Sequence, residues 1–323
     1  MRQNSLFTVL PLTVLLAACG GQTPPAPTVN SVSISGAGNG PVQTDTTLQL
    51  QATAKDANGT TITGKNVAWA SSNPALVSVD ANGKITARHL TDLTTPVTIT
   101  AAIDGKSTTV NIATYGLDAR GGTINDSTSP NLRTYIRLFF RNADGTTVTT
   151  DTPAVITGPT GFNAGNALDS KIFASTGGSG LNANAVPVTG QYSATATIGG
   201  KAYTKTFSID ATKTLGRVTN PSITLTSTSV SLNATAPSGA VWVAGGVYDQ
   251  TTGQGIAGTG VSGEATKLPF TSTVSPALTP GTTYNALVFA YGYDSRNSTL
   301  AKSHLLPEQL NISVQSAGAV TVQ

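Results

Sequence analysis

The sequence predicts an all-β chain, a tandem series of β-sandwiches behind a signal segment and a proline-rich linker. Three observations predict it. Apolar residues recur at every second position in short runs, and Asp-Gly, Asn-Gly and Gly-Gly pairs separate those runs. Thr, Ser, Asn and Gly fill the polar positions, and only 10% of residues are charged. A period of two matches the pleat of a strand with one buried face. Thr is β-branched and favours extended backbone, while Gly and Asn accept the positive φ of tight turns.

Residues 6–16 form an apolar run behind Arg2. It has the length of the h-region of a secretory signal and is too short to span a bilayer. The run LLAAC that closes it resembles the lipobox of bacterial lipoproteins, with Leu16 at −3, the small Ala17 and Ala18 before the cut, and Cys19 after it. The resemblance implies cleavage between Ala18 and Cys19 and a diacylglycerol on the Cys19 sulfur. Acyl chains would then hold the protein at a membrane with about 0.8 kcal/mol per buried CH₂. With Gly20 rather than Asp after the cysteine, the same resemblance implies the outer membrane or cell surface. Residues 1–18 are thus read as the signal peptide. Residues 19–28 are read as the lipidated cysteine and a flexible linker in which Pro24, Pro25 and Pro27 favour polyproline II.

Removing 18 of 323 residues leaves 305, room for three sandwiches of about 100 residues each. Loss of Arg2 lowers Lys plus Arg from 18 to 17 against 15 acidic residues, so the mature chain is nearly neutral. That balance argues against nucleic acid as a partner. The single cysteine is the one that lipidation would consume, so no disulfide staples the mature domains.

The first unit covers residues 29–113. Val32 and Ile34 alternate with Ser, and Leu48, Leu50, Ala52 and Ala54 alternate with polar residues. Val67 and Trp69, Val77 and Val79, residues 97–103, and Val110 and Ile112 continue the pattern. Asp56-Ala57-Asn58-Gly59, Asp80-Ala81-Asn82-Gly83 and Asp104-Gly105 supply hairpin turns between them. The segments W-x-S-S-N-P, from Trp69, and V-D-x-x-G-x-I-x-A, from Val79, resemble the group 2 bacterial immunoglobulin-like domain. The resemblance implies a small sandwich with Trp69 in its core. It implies surface proteins of the adhesin, intimin and invasin type, or spacers in cell-wall enzymes, and brings no binding residue with it.

The second unit is placed at residues 114–220. Its strands are expected at residues 134–140, near Val155, and at 192–198 and 202–209, the last two joined by Gly199-Gly200. The third unit, residues 221–323, has alternating runs at 230–234, 240–248, 270–274, 284–293 and 310–314. Its run LTPGTTYNALVFAYGYD is similar to a late strand of fibronectin type III domains, which implies Leu278 in the core and Tyr284 in the tyrosine-corner position. The full expectation is therefore tandem immunoglobulin-like and fibronectin type III-like sandwiches.

Catalysis is not expected, and neither is a cofactor or a metal site. Gly253-Gln254-Gly255-Ile256-Ala257-Gly258 fits G-x-G-x-x-G, but the glycine-rich stretch after it cannot start a pyrophosphate-binding helix. The two histidines, His89 and His304, lie in different units without a neighbouring nucleophile motif and read as surface or strand-edge imidazoles. Glu264 and Glu308 are the only glutamates.

One segment suggests a contact surface. Read as a strand, residues 133–141 put Ile136, Leu138 and Phe140 on one face, and Arg133, Tyr135, Arg137, Phe139 and Arg141 on the other. Alternating guanidinium and aromatic groups can stack on sugars and pair with acidic groups. The same side chains could instead cover rings of their own sheet or a domain interface. Leu287, Phe289, Tyr291 and Tyr293, with Trp242 and Tyr248 nearby, form a second aromatic set suited to a sandwich core. The expected function is that of a non-catalytic surface lipoprotein acting in adhesion or as an envelope scaffold. Its partners would be the membrane, through Cys19, and envelope polysaccharide or a surface protein. The alternative is a ligand-binding or accessory subunit of an envelope enzyme or uptake complex.

Overall fold

The computed structural model describes residues 26–323; the signal segment, Ala18 and Cys19 lie outside the described residues. Among the described residues the chain is all-β, with strands in tandem sandwiches and four short 3₁₀ turns. In the first unit, Ser31–Ser35, Gln51–Lys55 and Thr61–Ile62 form one sheet. Lys106–Ile112, Val97–Ile103 and Ala68–Ser71 form a second, and Thr47–Gln49, Lys84–Ala87 and Val77–Val79 a third. The alternating apolar positions meet inside, where Leu50, Val77, Ile85, Ile99 and Ile112 are buried.

The turns follow from their residues. Asp56 Oδ1 accepts from the backbone N–H of Asn58 at 2.9 Å and of Thr60 at 2.8 Å. Asp80 Oδ1 accepts from Asn82 and Lys84, both at 2.9 Å. The side-chain oxygen thus closes each hairpin while the glycine takes the positive φ. At Gly83 the indole of Trp69 lies where a Cβ would sit, 2.7 Å from the ring. Trp69 is half-buried at the rim of the core, capping the turn, where the resemblance placed it inside.

The second sandwich packs Leu168–Ile172, Thr152–Thr157, Gly190–Ile198 and Lys201–Ile209 on a layer of Gly178–Ala183, Arg133–Arg141 and the long strand Thr114–Asp126. Leu117, Ile136, Leu138, Phe140, Ile156, Tyr192 and Phe207 fill the space between. Tyr192 Oη donates to the Val188 carbonyl at 2.8 Å and accepts from its N–H at 3.0 Å, the hydrogen-bond pattern of a tyrosine corner. That pattern was expected at Tyr284, which is half-buried beside the third core and makes no such bond among the described residues. Leu278 packs against the same core.

The third sandwich pairs Thr219–Leu225, Ser229–Thr235 and Phe270–Thr273 in one layer. Its other layer is Val261–Glu264, Trp242–Tyr248, Thr283–Tyr291 and Ile312–Thr321. This layer continues into the second sandwich. Ile124, Asn125 and Asp126 of the long strand pair in parallel with Ile312, Ser313 and Val314. Seven strands of one sheet therefore run through both units, with separate cores on its inner face. Val42–Gln43 of the first unit pairs with Thr114 and Tyr115 at the start of the same long strand. On the outer face of the shared sheet, Tyr135, Phe139 and Ile124 are buried under Tyr293, Leu306 and Leu310, together with Leu90 of the first unit.

Candidate functional site

The three units meet over the outer face of the long strand. Alternation along Thr114–Asp126 turns Leu117 and Ala119 into the second core and sends Asp118 and Arg120 the other way. Both charged residues are buried, Asp118 at 0% and Arg120 at 1% exposure. Above them stands His89, from the link between Lys84–Ala87 and Val97–Ile103, held where Arg88 and His89 both donate their N–H to the Leu76 carbonyl. His89 Nδ1 lies 2.7 Å from Asp118 Oδ1, and Nε2 lies 3.0 Å from Glu308 Oε2 of the third unit. The Leu90 N–H donates to the other Asp118 oxygen at 3.1 Å.

Electrostatics favour the imidazolium here. Burial pulls the His89 pKa down, but the charge and hydrogen bond of Asp118, with the hydrogen bond to Glu308, outweigh it and raise the pKa above the ordinary value. Burial likewise opposes ionisation of Asp118, and the charge and hydrogen bond of His89, helped by Arg120 and Lys205, hold its carboxyl well below the usual range. The hydrogen bond from His89 lowers Glu308 against the effect of its own partial burial.

Other charges cross the same junction. Arg141 Nη2 donates to the carbonyls of Thr91 at 2.6 Å and Thr114 at 2.8 Å. Lys205, 2% exposed, pairs with Asp45 of the first unit at 2.6 Å and donates to the Arg88 carbonyl. The second Asp45 oxygen accepts from the Thr206 N–H at 2.7 Å. His304 Nε2 lies 3.6 Å from Asp92 Oδ2. Beside this network opens a polar cleft of about 870 Å³, lined by His89, Glu308, Lys205, Asp45, Arg88 and Asp210 among others.

An Asp–His pair can serve a nucleophile through the free ring nitrogen. In this protein that nitrogen faces Glu308, so the arrangement works as an ionic clamp between three units. The expectation of surface imidazoles is therefore corrected for His89, which is 4% exposed. Its carboxylate partners lie 29 and 219 residues away in sequence, beyond the reach of any local motif. The one available signal was the pair Asp118 and Arg120 set around Ala119 between Leu117 and Gly121.

The strip predicted on residues 133–141 exists as one face of a strand, but it is largely an interface. Arg133 pairs with Asp126 at 2.7 Å, Tyr135 is 7% exposed, Phe139 is fully buried and Arg141 is 3% exposed. Tyr135, Phe139 and Arg141 are thereby corrected as ligand contacts, because the first unit and residues 292–311 cover the face that a solvated strand would present, while Arg133 stays half-buried in its ion pair. Arg137 is half-buried and reaches the edge of the covering segment. In the second aromatic set, Trp242 and Tyr293 are buried, while Tyr248, Phe289 and Tyr291 are half-buried on the outer face. The G-x-G-x-x-G run is a hairpin connection, with Asp249 Oδ1 accepting from the N–H groups of Thr251 and Thr252 at 2.9 and 2.7 Å.

No family model and no curated protein matches the sequence. Solved structures that are similar include domains 5–6 of the S-layer protein SbsC, at 15% identity and a TM-score of 0.24, over 58% of this chain and 100% of that one. A two-domain fibronectin type III segment of chicken tenascin is similar at 14% identity and a TM-score of 0.25, over 64% of this chain and 98% of that one. The FN1–FN3 domains of chicken CNTN1 are similar at 10% identity and a TM-score of 0.24, over 93% and 100%.

Proposed function

We propose that the protein is a non-catalytic, lipid-anchored scaffold of the bacterial cell surface, whose linked sandwiches contact envelope polymer, host or neighbouring cells. The observation that carries this reading is the use made of its buried charges. His89, Asp118, Lys205 and Arg141 each bond across a unit boundary, so the chemistry that could serve a reaction instead fixes the units to one another. Such a body suits holding contact surfaces at a set distance from a membrane, and the LLAAC run supplies the anchor. Intact-mass spectrometry of natively purified protein tests the anchor: the expected species begins at Cys19 and carries diacylglyceryl, and a bare thiol would overturn it. Capture from purified envelopes tests the contact role, with polymer or surface protein as the expected catch.

A second reading, an accessory ligand-binding subunit of an envelope enzyme or uptake complex, is favoured by the cleft of about 870 Å³ at the junction. Co-purification of stoichiometric enzyme or transporter subunits in the same capture would select it over the scaffold.

A further inference from the structure

We propose that Arg137 and Phe173 form a binding recess for a hexuronate residue of an acidic polysaccharide. The inference rests on the reading of the protein as a polymer-contacting surface module and names the class of polymer. The recess lies at the edge of the shared sheet, between Gly178–Ala183, Arg133–Arg141 and the covering residues 298–300, and has a volume of about 400 Å³.

Charge is the first argument. Arg120 and Arg137 stand directly opposite each other across the strand pair. Arg120 has Asp118 and Glu308 close enough to feel its charge, Arg133 has Asp126, and Arg141 has Asp92 and Asp118. Arg137 has no carboxylate partner among the described residues. Its guanidinium donates to the Ser298 carbonyl. A half-buried cation facing a second cation gains most from a carboxylate, which the planar guanidinium can meet with two parallel hydrogen bonds.

Shape is the second argument. The Arg137 guanidinium lies 5.6 Å from the centroid of Phe139 and passes over Gly180, where a Cβ would come within 2.7 Å of Nη1. Leu300 gives the recess an apolar side, and the Phe173 ring, 43% exposed, stands at its mouth. The exposed Thr176 and Thr299 add hydroxyl groups to its lining. One exposed aromatic ring, two threonine hydroxyls and one cation without a carboxylate partner match a sugar ring that carries a carboxylate.

The test is isothermal titration of the full mature chain in detergent with trisaccharides of galacturonate, glucuronate and mannuronate, their methyl esters, and 3-phenylpropionate. At least one uronate is expected to bind saturably, with affinity falling as salt rises. Its methyl ester, the variant Arg137→Gln and the variant Phe173→Ala should each bind about tenfold more weakly or worse, as loss of one charge-assisted contact implies. The proposal is overturned if no uronate binds, if ester and acid bind alike, if Phe173→Ala matches the parent, or if 3-phenylpropionate binds more tightly than every uronate. Should Arg137→Gln fail to fold, the acid and ester on the unaltered chain and the exposed Phe173 still decide the matter. Absent uronate binding with intact envelope capture would sink the recess and leave the scaffold standing. A bare Cys19 with uronate binding would do the reverse.

Discussion

Both ring nitrogens of His89 end on carboxylate oxygens, and only the imidazolium has two N–H groups to give. Because its pKa is raised in the folded state, its contribution is complete below the ordinary value of 6.5 and is lost as pH rises through the folded value. Asp118 and Glu308 are depressed, so their contributions are complete above the ordinary values of 3.8 and 4.5 and are lost as pH falls through the folded ones. Arg120, Lys205 and Arg141 are the other charged groups that act on Asp118. The junction should therefore be strongest between about pH 4.5 and 6.5 and loosen toward alkaline pH. Thermal scans from pH 5 to 9 should show the midpoint falling in the parent and a flatter alkaline limb in His89→Gln; equal slopes would show that His89 contributes nothing. Asp118→Ala strands His89 beside Arg120 in a buried site and should cost about 3–5 kcal/mol by urea titration. A loss below about 1 kcal/mol would mean that water already reaches the pair.

The long strand Thr114–Asp126 carries the junction, and its glycines explain how. A Cβ on Gly122 would lie 1.7 Å from the Leu310 carbonyl oxygen, and one on Gly121 would meet Ile209 and Phe207 at 2.6 and 2.7 Å. Gly122 lets the third unit's chain lie on one face while Gly121 lets the second unit's sheet close on the other. Gly122→Ala must displace backbone and is expected to cost at least the 1–3 kcal/mol typical of overpacking. Gly40→Ala, where nothing lies within 4 Å, is the matched control, and equal urea midpoints for the two would refute the close approach. These glycines also explain what could be read in advance. Hairpins such as Asp80–Gly83 were legible because turn and strand lie within a few residues, and Gly190–Ile198 with Lys201–Ile209 because Gly199-Gly200 separates two clean alternations. The long strand was not, because Gly116, Asp118, Arg120 and Gly122 break the apolar rhythm on the very face that other units cover. For the same reason residues 133–141 read as a strand, but the cover over their second face did not show.

At the scale of the whole molecule, the parallel pairing of Ile124 with Ile312 joins residues nearly two hundred positions apart, and no local pattern announces it. Periodicity distinguishes three cores, while the sheet that binds two of them into one body depends on contacts the chain makes only when folded. Cooperativity should follow the sheet and not the cores. In calorimetry of the full mature chain, residues 114–323 are expected to unfold in one transition, because opening the third sandwich removes Ile312–Thr321 and leaves Ile124, Asn125 and Asp126 as an unpaired edge. It also removes Leu306, Leu310 and Tyr293 from the cluster that they share with Tyr135, Phe139 and Leu90. A chain ended at residue 220 should accordingly melt well below the parent and associate through the bared strand and apolar face, as sedimentation would reveal. If instead that shortened chain stays monomeric and keeps the second unit's melting temperature, the shared sheet transmits no stability. The units would then be beads on a string, and the scaffold would lose the stiffness on which its proposed role depends.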